Sequence, residues 1–380
     1  MRSLYPHPNR VLFYDDVLIT YLLAFFNPAV RSLRSIEDLS EVPAINQHLS
    51  VKSVCRSTLS DANSLFDPDY LLPLIEQLRQ KVPDLARQDR DLAKLLDKVL
   101  AIDGSFFRVA SDVQWATTLA NKYGGRKFVR LNLSLGVNDG LVDGLSIDGN
   151  DGRHEGTAAK EFIREGHIHL FDGGVVNFDL FHTILALPDT HLLCSLRDHI
   201  NFTTMQEQPL SEKDKEAGVT SDRVGVLTGS NARVAPGQTL REVRVSYTDR
   251  KGKVCSLRLL TSLLDLPAAV IAALYRYRWQ IELFFRWLKV DASFEHLTSY
   301  SRNGVKLSFH IAVIAQLLIC IHTQSPPSRY SQMLLGYVAS GQATVEEILP
   351  IVLKRERERA LERARLARKR QADRASKKSE

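Results

Sequence analysis

The chain has 380 residues, 44% of them hydrophobic and 25% charged, with four cysteines and a formal net charge of +6. Such a length carries two or three domains with proper cores, and the composition excludes a disordered or fibrous chain. Cys55, Cys194, Cys255 and Cys320 show neither a CxxC pair nor any zinc-ligand spacing, so a disulfide framework is not expected and a reducing cytoplasm is. No charged-then-apolar signal peptide opens the chain, and the longest apolar runs, near residues 17–26 and 309–321, read as core helices too short to span a bilayer. The positive charge is concentrated at the end. Residues 351–380 hold 12 Lys or Arg against 5 Asp or Glu, and the other 350 residues carry a net −1. The high pI is therefore a property of the tail and is weak support for nucleic-acid binding on its own.

Residues 11–98 have helical periodicity, clearest in "DDVLITYLLAFF", "SIEDLSEVPAINQHL" and "YLLPLIEQLRQKV", with Asp and Pro opening "FDPDYLLPLIEQL". The pattern changes near residue 100. "LAIDGSFFRVA" suits a strand, and "KFVRLNLSLGV" and "GLVDGLSID" flank "NDG", a hairpin signal. A helix is expected at 158–165, then a buried strand in "HIHLFDGG" that stops at Asp172, a helix at 178–187 and a strand at 191–196. This β-β-β-α-β-α-β order predicts a mixed sheet covered by helices. Residues 203–240 are rich in Gly, Ser, Thr and charge and are expected to form a loop or insertion. Strand-like runs "RVGVL", "REVRVSY" and "VCSLRLL" surround and follow it. A long helix starts at "LPAAVIAALYR", and another apolar helix covers 307–321. The tail after Pro350 has strong helix formers but almost no apolar stripe. It reads as a solvated charged helix or a basic arm, with nonspecific DNA contact as the alternative.

The segment "YRYRWQIELFFRWLK" at 275–289 concentrates unusual chemistry. On a helical wheel with Tyr275 at zero, Arg278, Glu282 and Lys289 fall at about 300°, 340° and 320°, and Arg286 and Trp279 at about 20° and 40°. Tyr277, Ile281, Phe284 and Leu288 gather on the opposite side, at about 180–240°. An amphipathic helix with i,i+4 ion pairs Arg278–Glu282 and Glu282–Arg286 accounts for the charges. Two aromatics on the same wet stripe are better accounted for by cations contacting phosphates, rings stacking on bases and a carboxylate holding a metal. One glutamate cannot hold two divalent ions, so further carboxylates from other elements are required. Asp103 inside the first strand is costly without a partner. Asp172 ends the fourth strand beside glycines that allow close approach. With Glu282 they form a spaced trio on an α/β, ribonuclease-H-like mixed sheet core. A helical N-terminal domain precedes this core, and a β-rich insertion comes before the last catalytic helix.

Tyr275, Arg278, Glu282 and Lys289 match the Tyr-x2-Arg-x3-Glu-x6-Lys pattern of DDE transposases of bacterial insertion sequences, in the IS-four family, which this chain resembles. The resemblance extends to "TSLLDLPAAVIAALYR", "SYSRNGVKLSFHIAVIAQLLI", "NPAVRSLRSIEDLS" and "CRSTLSDANSLFDPD", over about residues 10–325. It implies that Asp103, Asp172 and Glu282 are catalytic and bind two Mg²⁺ ions, Mn²⁺ substituting. It implies that Tyr275, Arg278 and Lys289 hold DNA phosphates and that Trp279 stacks on a displaced base; Arg286 is added from the helical geometry. It also implies double-stranded DNA as partner, as terminal inverted repeats and target, and a homodimer in a synaptic complex in the bacterial cytoplasm, at the nucleoid. The implied division is a helical segment at 1–98 for DNA ends or dimerisation, a catalytic segment at 99–325 with its insertion at about 200–265, and a basic helical tail at 326–380. Gly173 and Val175 stand where the family commonly has Arg and Tyr, and Ser105 where a Thr is usual nearby.

The function expected is metal-dependent cleavage and strand transfer at the ends of an insertion sequence. A catalytically inactive DNA-binding protein derived from a transposase is the alternative, as is a divalent-dependent nuclease of the same fold. Without a GxxxxGK[ST] loop, no nucleotide cofactor is expected, and no membrane partner is either. His167 and His169, two residues apart on a strand, read as surface or structural side chains, not zinc ligands.

Overall fold

The computed structural model describes the chain except residues 1–11, 28, 84, 86–91, 120–123, 151–153, 175–176, 229–236, 250–251, 293–296 and 377–380. It begins with helices α1 (Tyr14–Phe26), α2 (Leu33–Glu41), α3 (Pro43–Asn46), α4 (Arg56–Leu65) and α5 (Leu72–Lys81). The expected single piece around "SEVPAIN" is broken at Val42, whose φ of −65° and ψ of 125° are extended. The residue before a proline is pushed out of the helical region, so Pro43 can only begin a new helix. Asp67 accepts the Asp69 N–H at 3.0 Å and starts a 3₁₀ turn at Pro68–Leu71 that leads into α5.

After the short α6 (Ala93–Leu96) come strands β1 (Val99–Arg108), β2 (Thr117–Leu119), β3 (Arg126–Gly136) and β4 (Val142–Asp148). The β3–β4 hairpin turns at the expected "NDG", with Gly140 at a φ of 70°, a left-handed conformation that favours glycine. Then follow α7 (Glu155–Ala159), β5 (Ile168–Phe171), α8 (Phe178–Leu185) and β6 (His191–Ser195). β1 pairs antiparallel with β3 and parallel with β5, β5 pairs parallel with β6, and β4 and β2 both pair with β3. The order β4-β3-β1-β5-β6, with those directions, is the ribonuclease-H-like core expected from the element order. Phe171, Leu180, Phe181, Ile184, Leu192 and Cys194 are buried in one apolar cluster between this sheet and its helices.

The segment 203–240, expected as a loop or insertion with a strand-like run at 223–227, contains most of β7 (Phe202–Glu207) and all of β8 (Val219–Leu227), with α9 (Glu212–Glu216) between them. β7 lies at the sheet edge with four of its six residues exposed, so it shows no apolar alternation. β9 (Leu240–Thr248) and β10 (Val254–Thr261) follow, and β10 pairs antiparallel with β6. The insertion thereby continues the core sheet to ten strands. Next come α10 (Ala268–Tyr277) and α11 (Trp279–Arg286), then a π-helical turn at Trp287–Asp291.

The chain ends with α12 (Arg302–Thr323), α13 (Arg329–Ala339) and α14 (Val345–Ser376). At 22 residues and a mean hydropathy of 1.9, α12 is long and apolar enough to cross a membrane, contrary to the shorter run expected. Within the protein, however, 78% of that apolar window is buried. Leu307, Ile311 and Ile314 of α12 share a core with Val17, Tyr21, Ile36 and Leu59. Ser301 donates to the Asn63 carbonyl at 2.9 Å, and Lys306 pairs with Asp69 at 2.6 Å. The chain thus forms two compact units. One is Arg87–Phe285, and the other combines Met1–Ala86 with Arg286–Glu380.

Candidate active site

The β1–β5 register places two of the acids together. Val99, Leu100 and Ala101 face Ile168, His169 and Leu170, and continuing that register two steps sets Asp103 opposite Asp172. Asp172 follows the carboxyl end of β5, and Asp103 lies within β1 just past the last β1–β5 pair, so the two carboxylates come from neighbouring strands beyond the end of their parallel ladder. Asp103 accepts its own neighbour's N–H, from Gly104, at 2.8 Å. Asp172 accepts the Gly173 N–H at 2.6 Å and the Ser195 hydroxyl at 3.3 Å. A Cβ on Gly173 would stand 2.7 Å from Ser195 Oγ and 3.0 Å from its carbonyl oxygen, so any side chain there would force Ser195 to shift. Val175 lies outside the described residues.

Tyr275, Arg278 and Glu282 reach the same place from the helices. Arg278 stands at the break between α10 and α11, where its N–H bonds to Tyr275 and its carbonyl to the Ile281 N–H, both three residues away. The continuous helix expected over 275–289 is therefore pinched at Arg278 and widened at the π turn, so one wheel does not describe it. From this pinch the guanidinium donates to Glu282 at 2.5 Å, lies 3.9 Å from Asp103 and covers the Tyr275 ring at 5.6 Å. Tyr275 is buried, and its hydroxyl bonds to Ser195, the hydroxyl that also donates to Asp172. Trp279 is 53% exposed. Arg286 is exposed and Lys289 half-buried, and both belong to the other compact unit.

Burial pushes the Asp103 carboxyl up to about 7. The Gly104 N–H and Arg278 act against that rise, and the charges of Glu155 and Asp172 add to it. Glu155 is a member of this cluster that the sequence pattern did not single out. Its carboxyl is also raised, by burial first, with Arg130 and the Gly104 N–H opposing and Asp172 adding. His169 is fully buried, its Nε2 accepting the Arg164 N–H at 3.1 Å, and burial lowers its ring to about 4. It is a neutral core side chain.

Because Asp103 keeps a proton to about pH 7 when folded and loses it near 4 when unfolded, the unfolded chain binds fewer protons between those values. Stability from this group is complete below pH 4, falls as pH rises to 7 and is flat above. Metal-free Asp103→Asn is expected to melt higher than wild type at pH 8, by on the order of 2 kcal/mol, and close to it at pH 4.5. Paired thermal melts at the two pH values check this.

Among the described residues no three His, Cys, Asp or Glu side chains stand in metal-ligand arrangement. Arg278 occupies the space between Asp103 and Glu282. The donors nonetheless fit a hard divalent cation in kind. All are carboxylate oxygens, and Asp103 and Glu282 both lie beside the one guanidinium of Arg278.

A ribonuclease-H-like sheet with an acid within β1 and another just after β5, faced by a Tyr-Arg-Glu helix, is the arrangement of the DDE class of nucleic-acid enzymes. Residues 94–318 match the family model described as "Transposase DDE domain", and the chain belongs to that family. A Sinorhizobium fredii protein named as a transposase is 26% identical over 181 residues, 48% of this chain and 49% of its own length. The chain thus spans about half of that relative. A Geobacillus stearothermophilus protein named as the transposase of insertion sequence element IS5377 is 22% identical over 61% of this chain and 59% of its own. One from Synechocystis, named for element IS4SA, is 21% identical over 72% and 73%. The piggyBac transposase in a synaptic complex with hairpin DNA aligns over 93% of this chain and 78% of its own, at a TM-score of 0.44 and 11% identity.

Proposed function

We propose that this protein is a DNA transposase that cleaves the ends of an insertion sequence and joins them to a target. The observation that carries the proposal is the convergence of Asp103, Asp172 and Glu282 around Arg278 in one site. Asp103, Asp172 and Glu282 would hold two Mg²⁺ ions, which supply activation of water or a 3′-hydroxyl and stabilisation of the leaving oxygen at a phosphodiester. Arg278 exchanges Glu282 for a DNA phosphate, because a guanidinium fork serves carboxylate and phosphate alike. Tyr275 fixes Arg278 from below and ties it through Ser195 to Asp172. The Trp279 ring, which is exposed, would stack on a displaced base. Arg286 and Lys289 serve as further phosphate contacts. Residues 1–98 are proposed to bind DNA ends or to dimerise in a synaptic complex, residues 99–325 to carry the chemistry, and the bacterial cytoplasm to be the setting.

Incubating the protein with a plasmid that carries its gene and native flanks, in Mg²⁺ and in EDTA, tests the proposal. Excision and joining in Mg²⁺ alone are expected. Cleavage without joining would make the protein a nuclease, and a gel shift without cleavage would make it a DNA-binding protein only.

α14 forms a helix through Ser376, and most of its described side chains after Val352 are exposed. If its cations neutralise phosphates, truncation at residue 351 lowers the slope of log K against log salt by about 0.9 for each phosphate that the helix had neutralised. An unchanged slope makes the helix a bystander.

A further inference from the structure

Three features place Glu155 in the acidic site independently of its titration. It is the first residue of α7, half-buried. A Cβ built on Gly104 would lie 3.2 Å from its Oε1 and 3.1 Å from Asn132 Oδ1, so an alanine there would press on both oxygens. Gly156, next in sequence, seats α7: a Cβ there would fall 2.7 Å from Asn177 Cβ, at the start of α8.

Two neighbours show what this pocket lacks. Arg130, whose charge acts on Glu155, is also paired with Asp148 at 2.9 Å, so it is a shared counter-ion. Asn132 is 2% exposed, and its amide nitrogen donates to Asp148 at 2.8 Å while its Oδ1 has no hydrogen-bond partner. A buried acceptor oxygen without a donor, beside a carboxylate whose cation is shared with Asp148, is the environment of a missing positive ligand.

We propose that Glu155 is a fourth cation-binding carboxylate of this site, sharing a divalent ion with Asp103 and Asp172, and that residue 104 is glycine to admit it. This rests on the metal-dependent reading of Asp103 and Asp172. The test is isothermal titration of the full chain with Mn²⁺, together with metal-free melting at pH 8. Wild type, Glu155→Gln, Gly104→Ala and Asp103→Asn are compared. Glu155→Gln keeps the shape of the side chain and is expected to weaken Mn²⁺ binding about tenfold or more. It should also raise the metal-free melting temperature, because one of several mutually repelling carboxylates is gone. Gly104→Ala should weaken Mn²⁺ binding in the same direction by displacing Glu155. Glu155→Gln binding Mn²⁺ as wild type does, or melting lower without metal as a lost partner of Arg130 would, overturns the proposal. If Asp103→Asn also binds Mn²⁺ unchanged, it is the underlying cation site that fails and not Glu155 alone.

Discussion

Glu282→Gln is expected to leave the protein folded and to reduce Mg²⁺-dependent excision about 10³-fold or more, since a metal's charge stabilisation is worth several kcal/mol and each 1.4 kcal/mol is tenfold. The expected cost in stability is small. Glu282 meets Arg278 in an i,i+4 pair with its side chain 32% exposed, and such pairs are worth about 0.3–0.5 kcal/mol. The two effects separate the alternatives. If Glu282 is only half of an ion pair, the variant excises normally and melts slightly lower. If Glu282 holds an ion, excision is lost, the melt hardly moves and Mn²⁺ affinity falls. Glutamine keeps the length of the side chain and its hydrogen bond to Arg278, so the comparison isolates the charge.

Replacing Arg241 with Met is expected to destabilise the protein by about 3–5 kcal/mol, the range for breaking a buried ion pair on one side. Arg241 is 4% exposed and grips Asp222 with two bonds, of 2.8 and 2.6 Å. Its remaining nitrogen donates to the carbonyls of Leu264 at 3.0 Å and Leu266 at 2.5 Å, in the turn that leads to α10. On the same side, Asp214 of α9 accepts the Ala269 N–H at 2.7 Å at the start of α10. The insertion thus anchors the helix that carries Tyr275, and Arg241→Met should lower excision as well as stability. The double variant Arg241→Met with Asp222→Leu removes the stranded charge. It should recover most of the stability in a urea melt, because a well-packed apolar pair can replace a buried ion pair. A melt no better than that of the single variant would mean that the Leu264 and Leu266 carbonyls, and not Asp222, are the costly orphans.

The chain's chemistry was more legible than its geometry. Asp103, Asp172 and Glu282 stood out because each is a carboxylate in a context where burial or neighbouring cations make it expensive or unusual. The core strands were legible because alternating apolar residues mark a half-buried sheet. β7 was not, because an edge strand with four of six residues exposed carries no such alternation. α7 begins at Glu155, three residues before the expected helix, because the sequence between 149 and 157 contains little apolar signal. The break at Arg278 was invisible to a wheel that assumes one regular helix.

By itself the sequence determined which groups are present and at what spacing: three acids in separate elements, and a Tyr-Arg-Glu-Lys run on a helix. Local periodicity and residue chemistry suffice for that, since both act over a few residues. Only the tertiary structure decided which groups meet. The β1–β5 register brings Asp103 to Asp172 across 69 residues of chain, and the pinch at Arg278 turns one guanidinium toward two carboxylates. The space above Gly104 admits Glu155. Those are pairings between distant segments, set by strand register and packing, and no short stretch of sequence contains both partners.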